Sequence, residues 1–229
     1  MQKTSNRIGI VVQARITSSR FPNKCLENLC GKPIIYWVIQ RLKMAKGISE
    51  LIIAIPNNHQ NKSLEDYLKK LEVEIILGDE TDVASRFIQA IKKYNLSDVI
   101  RVCADNPLVD YRFIDALIEF YLDNKLDYAF NHIPAHGINL IDGLGAEIFQ
   151  SSEFISAYKN FNNPLMFEHV TPSFFKQSSI KNIAYKDWML GNKKLDIDYP
   201  HDLEKLSRLI STTYGCDLAP EQINPLLLK

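Results

Sequence analysis

The chain has 229 residues, of which 46% are hydrophobic and 24% charged, an ordinary globular composition. A chain of this length can bury a substantial core without disulfides or structural metals. Lys and Arg together number 27, as do Asp and Glu, so the formal net charge is zero and no long-range field would hold a nucleic acid polymer. A bound anion must therefore be held by locally placed residues, which favours a small ligand.

The four cysteines, Cys25, Cys30, Cys103 and Cys216, include no Cys-x-x-Cys pair. Their spacing predicts neither a zinc site nor a disulfide framework, and we expect reduced thiols, as in cytoplasmic proteins. The apolar run at 8–12 is too short for the core of a signal peptide or for a membrane span. We therefore expect a cytoplasmic protein without a membrane partner.

Apolar runs and helical spacings alternate from residue 8 to about residue 125. The predicted strands lie at 8–12, 51–55, 73–77 and 98–103, and the predicted helices begin at Pro33 or span 63–71 and 82–94. Because connections this long exclude hairpins, the alternation predicts βαβ units and a parallel sheet. The later part is less regular, with strands predicted at 127–130, 145–149, 180–185 and 194–197 and helices at 152–158, 166–176 and 200–210. Since no linker or repeat separates the two parts, we expect one domain over residues 1–229.

The loop after the first predicted strand is rich in cations. Residues 13–24 include Arg15, Arg20 and Lys24, several hydroxyls and no carboxylate. Ligands of doubly wound sheets bind beyond the carboxyl ends of the strands, and forked arginine donors with a lysine point charge suit a polyphosphate. The loop therefore predicts a phosphate site, with a solvated surface loop as the alternative.

Aspartates follow two later predicted strands. Asp105 stands in the turn after the fourth strand, and Asp196 and Asp198 alternate in the last strand, which would place both on one face. One or two carboxylates, completed by phosphate oxygens and water, are the usual protein ligands of Mg²⁺. A simple Asp-Asn turn is the alternative for Asp105. Two carboxylates on one strand face repel each other unless a cation lies nearby.

Two further motifs could serve a substrate. In 142–147, Gly143 would let the backbone approach a ligand closely, and Glu147 could bind a hydroxyl or an ammonium group. Glu168 and His169 lie in an aromatic-rich helical stretch, where the histidine could act as an acid, a base or a metal ligand. A tight turn entering a strand and a hydrogen-bonded histidine are the respective alternatives.

Six segments, taken in chain order, resemble one family. Ala14-Arg15-x-x-Ser18-x-Arg20-x-Pro22-x-Lys24 resembles the signature loop of the bacterial cytidylyltransferases, which include CMP-Kdo synthetases, CMP-sialic acid synthetases and the spore-coat polysaccharide biosynthesis protein F group. The other segments are Gly31-Lys-Pro-Ile-Ile, residues 77–87, Arg101-Val-Cys-Ala-Asp-Asn-Pro, Glu168-His-Val-Thr-Pro and Asp198-Tyr-Pro-His-Asp-Leu. Residues 77–87 and the Asp-Asn-Pro segment are closest to the spore-coat group, and Tyr199 and His201 depart from the family pattern.

The resemblance implies a fold and an activity. The fold would be GT-A-like, as in nucleotide-diphospho-sugar transferases: α/β, with a mostly parallel mixed sheet sandwiched by helices. The activity would be Mg²⁺-dependent transfer of a cytidylyl group from CTP to a sugar acid or a small phosphorylated acceptor, releasing pyrophosphate, in surface polysaccharide biosynthesis. Residues from about 8 to 125 would bind the nucleotide, and those from about 126 to 210 would bind the acceptor and supply a second metal aspartate. Aromatic residues in the second half would permit a homodimer, the usual state in the family.

The resemblance also implies roles for individual residues. The triphosphate would be held by Ala14, Arg15, Ser18, Arg20 and Lys24. Mg²⁺ would be bound by Asp105 and Asp198, with Asp196 as a possible helper, and Arg15, Lys24, Asp105 and Asp198 would be catalytic. The remaining implied residues are Asp79, Asp82, Arg86 and Arg101 for the base and ribose, and Gly143, Glu147, Glu168 and His169 for the acceptor.

Three alternatives stay open at this point. The enzyme could use UTP, GTP or ATP instead of CTP. A dinucleotide-dependent oxidoreductase shares the βαβ start, but the first loop lacks Gly-x-Gly-x-x-Gly and carries cations instead. A non-catalytic nucleotide-binding subunit is disfavoured by the intact cation loop and the paired aspartates.

Overall fold

The computed structural model describes residues 6–132, 139–171 and 182–228. Within these ranges the chain forms a six-stranded sheet and a two-stranded hairpin. The strands are β1 (Ile8–Gln13), β2 (Asn28–Leu29), β3 (Lys32–Pro33), β4 (Glu50–Pro56), β5 (Glu74–Gly78), β6 (Asp98–Cys103), β7 (Tyr128–Phe130) and β8 (Glu147–Gln150). The large sheet has the order β5-β4-β1-β6-β8-β7.

The large sheet is mostly parallel. β4, β1 and β6 run parallel to one another and β5 extends this set, whereas β8 is antiparallel to both β6 and β7. The central strands are covered on both faces, because their successive side chains belong to two separate apolar clusters. That double burial explains why β1 and β4 are largely continuous apolar runs, whereas β6 carries the buried charged residues Asp98 and Arg101.

Helices flank the sheet. They are α1 (Ile34–Leu42), α2 (Lys62–Lys69), α3 (Val83–Tyr94), α4 (Tyr111–Asp123), α5 (Ser151–Tyr158), α6 (Pro164–His169) and α7 (Pro200–Tyr214). α3, α5 and α7 contribute to the cluster on one face, and α2 to the cluster on the other. α1 and α4 contribute to both clusters. None of the described helices combines the length and the apolar character needed to cross a bilayer.

Most of the predicted elements are present, and three predictions need correction. The strand expected at 194–197 does not form; Lys194 makes only an isolated bridge to Asp142. The helix expected at 166–176 ends at His169, and its last residues lie outside the described ranges. The strand expected at 180–185 lies partly outside them as well, and its described part makes one bridge, Phe130 to Ile183.

The prediction that all four cysteines are reduced is also wrong. Cys30, which follows β2, and Cys216, which follows α7, form a disulfide with a Cα–Cα distance of 4.8 Å. The partners are 186 residues apart, so local spacing could not reveal the pairing. Cys25 and Cys103 are free.

Candidate active site

A cavity of about 240 Å³ opens at the carboxyl ends of β1 and β6. Loops that follow parallel strands meet at this edge of a sheet, where ligands of open α/β folds bind. The lining contains five lysine or arginine side chains and fewer carboxylates. The lining residues are Gln13, Ala14, Arg15, Ser18, Arg20, Lys24, Cys25, Val83, Arg86, Arg101, Cys103, Ala104, Asp105, Glu168 and His169. This excess of positive charge suits an anionic ligand.

The loop after β1 is folded by its own backbone. The Asn23 amide donates to the Ile16 carbonyl, and the Phe21 amide donates to Ser18 Oγ. Asn61 at the start of α2 holds the loop from the other side, because its Oδ1 accepts from the Ile16 amide. The predicted phosphate loop is therefore an ordered segment, and Ser18 serves inside it as a backbone acceptor while also facing the cavity.

Lys24 lies between two carboxylates. Its Nζ is 3.0 Å from Asp105 Oδ2, 3.9 Å from Asp198 Oδ1 and 2.7 Å from the Ile197 carbonyl oxygen. The two aspartates are brought together by the backbone, since the Ile197 amide donates to the Asp105 carbonyl at 2.9 Å. Residues 92 positions apart in the chain thus converge on one cation.

The same arrangement fits a divalent metal. Two carboxylates that share a cation, Asp105 at 3.0 Å and Asp198 at 3.9 Å, are the kind of ligand Mg²⁺ takes from proteins, with the other positions left to phosphate and water. Within the described ranges, no group of three or more His, Cys, Asp or Glu side chains converges as an all-protein metal cage. Asp105 and Asp198 would therefore hold Mg²⁺ together with a phosphate-bearing ligand.

A second set of ion pairs surrounds Asp198. Arg20 lies 2.9 Å from Asp198 Oδ1, and Lys194 lies 3.6 Å from Oδ2. Asp196 is directed to Lys194 at 2.9 Å, and burial, with a nearby Asp142, raises its pKa. Neither Asp196 nor Asp198 lines the cavity itself, but Asp198 contacts Arg20 and Lys24, which do. The structure thus brings Asp198 to the cation loop and leaves Asp196 beside Lys194.

A second cavity of about 590 Å³ adjoins the first along α6. Arg15 and Glu168 line both cavities, and they form an ion pair at 3.0 Å. Asp82 lines the second cavity, where its side chain caps α3 by accepting from the Ser85 amide and also accepts from Tyr158 Oη. Asp79 lies outside both linings and organises its own turn by accepting from the Asp82 amide.

Arg86 is a buried cation without a carboxylate partner among the described residues. It is 1% exposed, and its Nη1 donates to the carbonyls of Ala54 and, at 3.5 Å, Ala14. Its buried Nε makes no hydrogen bond. Burial, together with Arg15, lowers its pKa to about 10. A charged group left this poorly compensated next to a cavity favours an anionic or strongly polar ligand there.

Arg101 and Glu147 form a buried pair under the cavity. They stand directly opposite each other on β6 and β8, and Arg101 Nη1 lies 3.0 Å from Glu147 Oε2. Glu147 also accepts from Thr171 Oγ1 at 2.7 Å and lies 3.0 Å from His132 Nε2. Burial alone would raise the pKa of Glu147, but Arg101 and His132 more than offset it and lower the pKa to about 2. Glu147 is 1% exposed and does not line the cavity.

Glycine 143 is required by backbone packing. Its φ is +85°, and a Cβ there would stand 2.5 Å from the Asp196 amide nitrogen. The turn 142–145 therefore closes against the segment that carries Asp196, and the close approach is to this chain's own backbone.

Several cavity residues were not predicted from the sequence. They are Gln13, Cys25, Val83, Cys103 and Ala104. Strand alternation could have found two of them, because Gln13 and Cys103 are register partners at the ends of adjacent parallel strands. Lys194 was also missed, since nothing in a lone lysine indicates that it will bridge aspartates two and four residues later.

Comparison with known proteins agrees with this architecture. A family model described as cytidylyltransferase matches residues 9–228. The chain belongs to the cytidylyltransferase family. The resemblance seen in the six sequence segments is thereby confirmed.

Relatives of this cytidylyltransferase differ in what is known of them. An uncharacterised protein of Methanocaldococcus jannaschii is 31% identical over 76% of this chain and 70% of its own length. The spore coat polysaccharide biosynthesis protein SpsF of Bacillus subtilis is 30% identical over 55% of this chain and 54% of its own. The 8-amino-3,8-dideoxy-manno-octulosonate cytidylyltransferase of Shewanella halifaxensis is 28% identical over 91% and 86%.

A solved structure of a cytidylyltransferase from Leptospira borgpetersenii superposes with a TM-score of 0.83, at 23% identity, covering 95% of this chain and 92% of its own. This likeness, with the mostly parallel mixed sheet and its flanking helices, confirms the predicted fold.

Proposed function

We propose that this cytidylyltransferase transfers the cytidylyl group of CTP to a sugar acid, with Mg²⁺ as cofactor and pyrophosphate as the second product, for surface polysaccharide biosynthesis. The convergence of Lys24, Asp105 and Asp198 beside a cavity lined by five basic side chains carries the proposal. The acceptor class is supported by the relative named as acting on 8-amino-3,8-dideoxy-manno-octulosonate. A small phosphorylated acceptor remains the alternative.

The reaction needs neutralisation of the phosphate charges more than it needs a covalent intermediate with the enzyme. An acceptor hydroxyl attacks the α-phosphorus and loses its proton to solvent, while the bond to the β-phosphate oxygen breaks and pyrophosphate leaves with the electron pair. The negative phosphates repel the incoming oxygen, so catalysis rests on positioning and electrostatics. When bound between Asp105 and Asp198, Mg²⁺ would supply Lewis-acid neutralisation of the phosphates.

The chain's own cations have distinct tasks in this scheme. Lys24 holds the two carboxylates together and would turn its Nζ to a phosphate oxygen once nucleotide and metal enter. Arg15 would leave Glu168 and bind the triphosphate instead. Its ion pair with Glu168, at 3.0 Å, is half exposed, so breaking it costs little free energy. Arg86, whose Nε lacks a partner, would face the nucleoside.

The test measures pyrophosphate release with CTP, UTP, GTP and ATP, each against a panel of sugar acids, with Mg²⁺ or with EDTA. We expect release only with CTP, Mg²⁺ and an acid acceptor. Asp105→Asn should lower kcat on the order of 10²–10³-fold. Asp123→Asn, an exposed carboxylate at the end of α4, is the matched control and should leave kcat unchanged. Near-normal turnover by Asp105→Asn, or equal rates with all four nucleotides, would contradict the proposal.

A further inference from the structure

Arg101 presents one edge of its guanidinium group to the cavity. Nε donates to Gln13 Oε1 at 3.0 Å and Nη1 donates to Glu147 Oε2 at 3.0 Å. Two bonds on different nitrogens fix the plane of the group. Nη2 makes no hydrogen bond to any described residue, although Arg101 lines the cavity. An oriented guanidinium with an unused nitrogen is ready to bind an anion.

Arg101 lines the same cavity as Lys24 but has different partners. Its contacts are with β1 on one side and β8 on the other, whereas Lys24 contacts Asp105 and the segment 197–198. The cavity therefore has two cationic parts, one formed by the first loop and one by Arg101.

Arg101 lies on the β8 side of the cavity. Arg86 lies on the β4 side, since it donates to the Ala54 carbonyl, and Lys24 lies between them, beside Asp105. The proposed nucleotide site uses Arg15, Lys24 and Arg86, which leaves the wall shared with β8 for the acceptor. The end of α6 and the residues after it complete this wall, because His169 lines the cavity and Thr171 donates to Glu147.

The charge around Arg101 selects the kind of anion. Glu147 is buried and its pKa is lowered to about 2, so its carboxylate offsets the charge of Arg101 and leaves the pair close to neutral. An anion at Nη2 would therefore be held by directed hydrogen bonds more than by net charge, which penalises two negative charges more than one. A dianionic phosphate would be left with uncompensated charge in a buried position, which is costly. A carboxylate is monoanionic and planar, and it matches the guanidinium edge.

We infer that Arg101, held by Gln13 and Glu147, is the receptor for the carboxylate of the acceptor. The inference rests on the proposed function and names the residue that would distinguish sugar acids from neutral sugars. It assigns Arg101 to the acceptor instead of the base or ribose, and it makes Glu147 a positioning residue that acts through Arg101.

The experiment combines a change in the protein with a change in the ligand. The acid that gives the highest CTP-dependent pyrophosphate release, with 3-deoxy-manno-octulosonate and N-acetylneuraminate as first probes, is compared with its primary carboxamide. In the unchanged enzyme we expect the carboxamide to have a KM about 10- to 100-fold higher. In Arg101→Gln the acid should lose that advantage, so that acid and carboxamide have similar KM values, while the KM for CTP changes less than about 3-fold.

Two further variants separate recognition from folding. Arg101→Lys keeps the charge without the fork and should retain part of the preference for the acid. Arg208→Gln, an exposed arginine on α7, is the matched control and should behave like the unchanged enzyme. Thermal unfolding and CTP binding of each variant show whether it folds.

Distinct outcomes would overturn the inference. If the KM for CTP in Arg101→Gln rises as much as the KM for the acceptor, Arg101 contacts the nucleotide and not the acceptor. An undiminished acid preference in Arg101→Gln would make the pair with Glu147 purely structural, and so would an unchanged enzyme that does not discriminate acid from carboxamide.

If the unchanged enzyme releases no pyrophosphate with any acid, the proposed function fails first. If Arg101→Gln does not fold, a reduced preference for the acid over the carboxamide in Arg101→Lys supports the inference, and full retention opposes it.

Discussion

At the scale of single residues, the site is a balance between one lysine and two aspartates. Lys24 is 7% exposed and stands where a metal would neutralise Asp105 and Asp198. Removing one partner from such a group leaves the other charges poorly compensated. The lysine therefore stabilises the metal-free protein, and it would compete with the proposed Mg²⁺.

This competition can be measured without turnover. In Lys24→Met, Asp105 loses its cation while Asp198 keeps Arg20 and Lys194. The unfolding temperature should therefore fall in EDTA, and Mg²⁺ should raise it more than it raises that of the unchanged protein. Activity should still fall on the order of 10²–10³-fold, because the triphosphate loses a contact. Differential scanning fluorimetry over a Mg²⁺ titration gives the shift. An equal Mg²⁺ response in both proteins would show that the metal does not bind at these aspartates.

Glu147 gives the protein a pH dependence of known sign. Its folded-state pKa is depressed to about 2, so its contribution to the free energy of unfolding is complete above its ordinary pKa near 4.5 and is lost as the pH falls toward 2. The contribution is on the order of 3 kcal/mol. Urea unfolding of the unchanged protein and of Glu147→Gln should therefore differ most at pH 6, and the difference should shrink from pH 4.5 downward. A difference that is constant with pH would contradict the assignment.

At the scale of elements, a buried arginine joins α1 to the end of the chain. Arg41 is 1% exposed and donates to the carbonyls of Val109, Pro220 and Ile223, each at 2.8 Å, and to Asp110 at 3.1 Å. Burial lowers its pKa to about 10. Two of these acceptors lie in the segment after α7, so this one side chain holds that segment against α1.

Losing this arginine should release the segment. Arg41→Met is expected to lower the free energy of unfolding by about 3–5 kcal/mol, because the buried carbonyls would lose their donor and Asp110 would keep only Arg112. Amide exchange at 220–228 should accelerate more than exchange in α2. Hydrogen exchange by mass spectrometry measures both, with Arg208→Met as the control. Unchanged protection of 220–228 would show that apolar packing alone holds the segment.

The elements that could be predicted from the sequence are those whose pattern is local. β1, β4 and β6 are apolar runs between turn residues, and α3 has regular apolar spacing and Asp82 as its cap. The strand predicted at 194–197 was wrong because alternating Leu, Asp and Ile also suits an extended segment pinned by Lys194 and by the bond from Ile197 to Asp105. α4 was not among the predicted elements, although Asp110 caps it.

The residues of the candidate site also divide into those that a local sequence pattern predicts and those that depend on the folded chain. The cation loop was predictable, because three basic residues in a dozen after a strand are a local signal. The pairing of Arg101 with Glu147 depends on the register of β6 and β8, which no local signal fixes. Lys24 between the two aspartates depends on segments that approach each other only in the folded chain.

At the scale of the whole molecule, the disulfide and Arg41 act on the same part of the chain. Cys30 lies in the hairpin that follows the cation loop, and Cys216 lies just after α7. A disulfide that closes so long a loop restricts the unfolded chain, and a typical native disulfide contributes about 2–4 kcal/mol.

The contribution of the disulfide can be tested with one variant and one reagent. Cys216→Ser should lower the free energy of unfolding by about 2–4 kcal/mol relative to the oxidised protein. With dithiothreitol present, the two proteins should unfold at nearly the same urea concentration. Mass spectrometry of unreduced peptides identifies the bond directly. If dithiothreitol does not change the unfolding of the unchanged protein, the disulfide does not contribute to its stability.

The hydrogen bond from the Ile197 amide to the Asp105 carbonyl has a consequence for how the enzyme is made. A ribosome would have released the cation loop and Asp105 long before Asp198 emerged from the exit tunnel. Until then a nascent chain would present a phosphate-attracting surface with only half of its metal ligands. The complete site would thus form only late in synthesis, when the segment at 197–198 packs against Asp105.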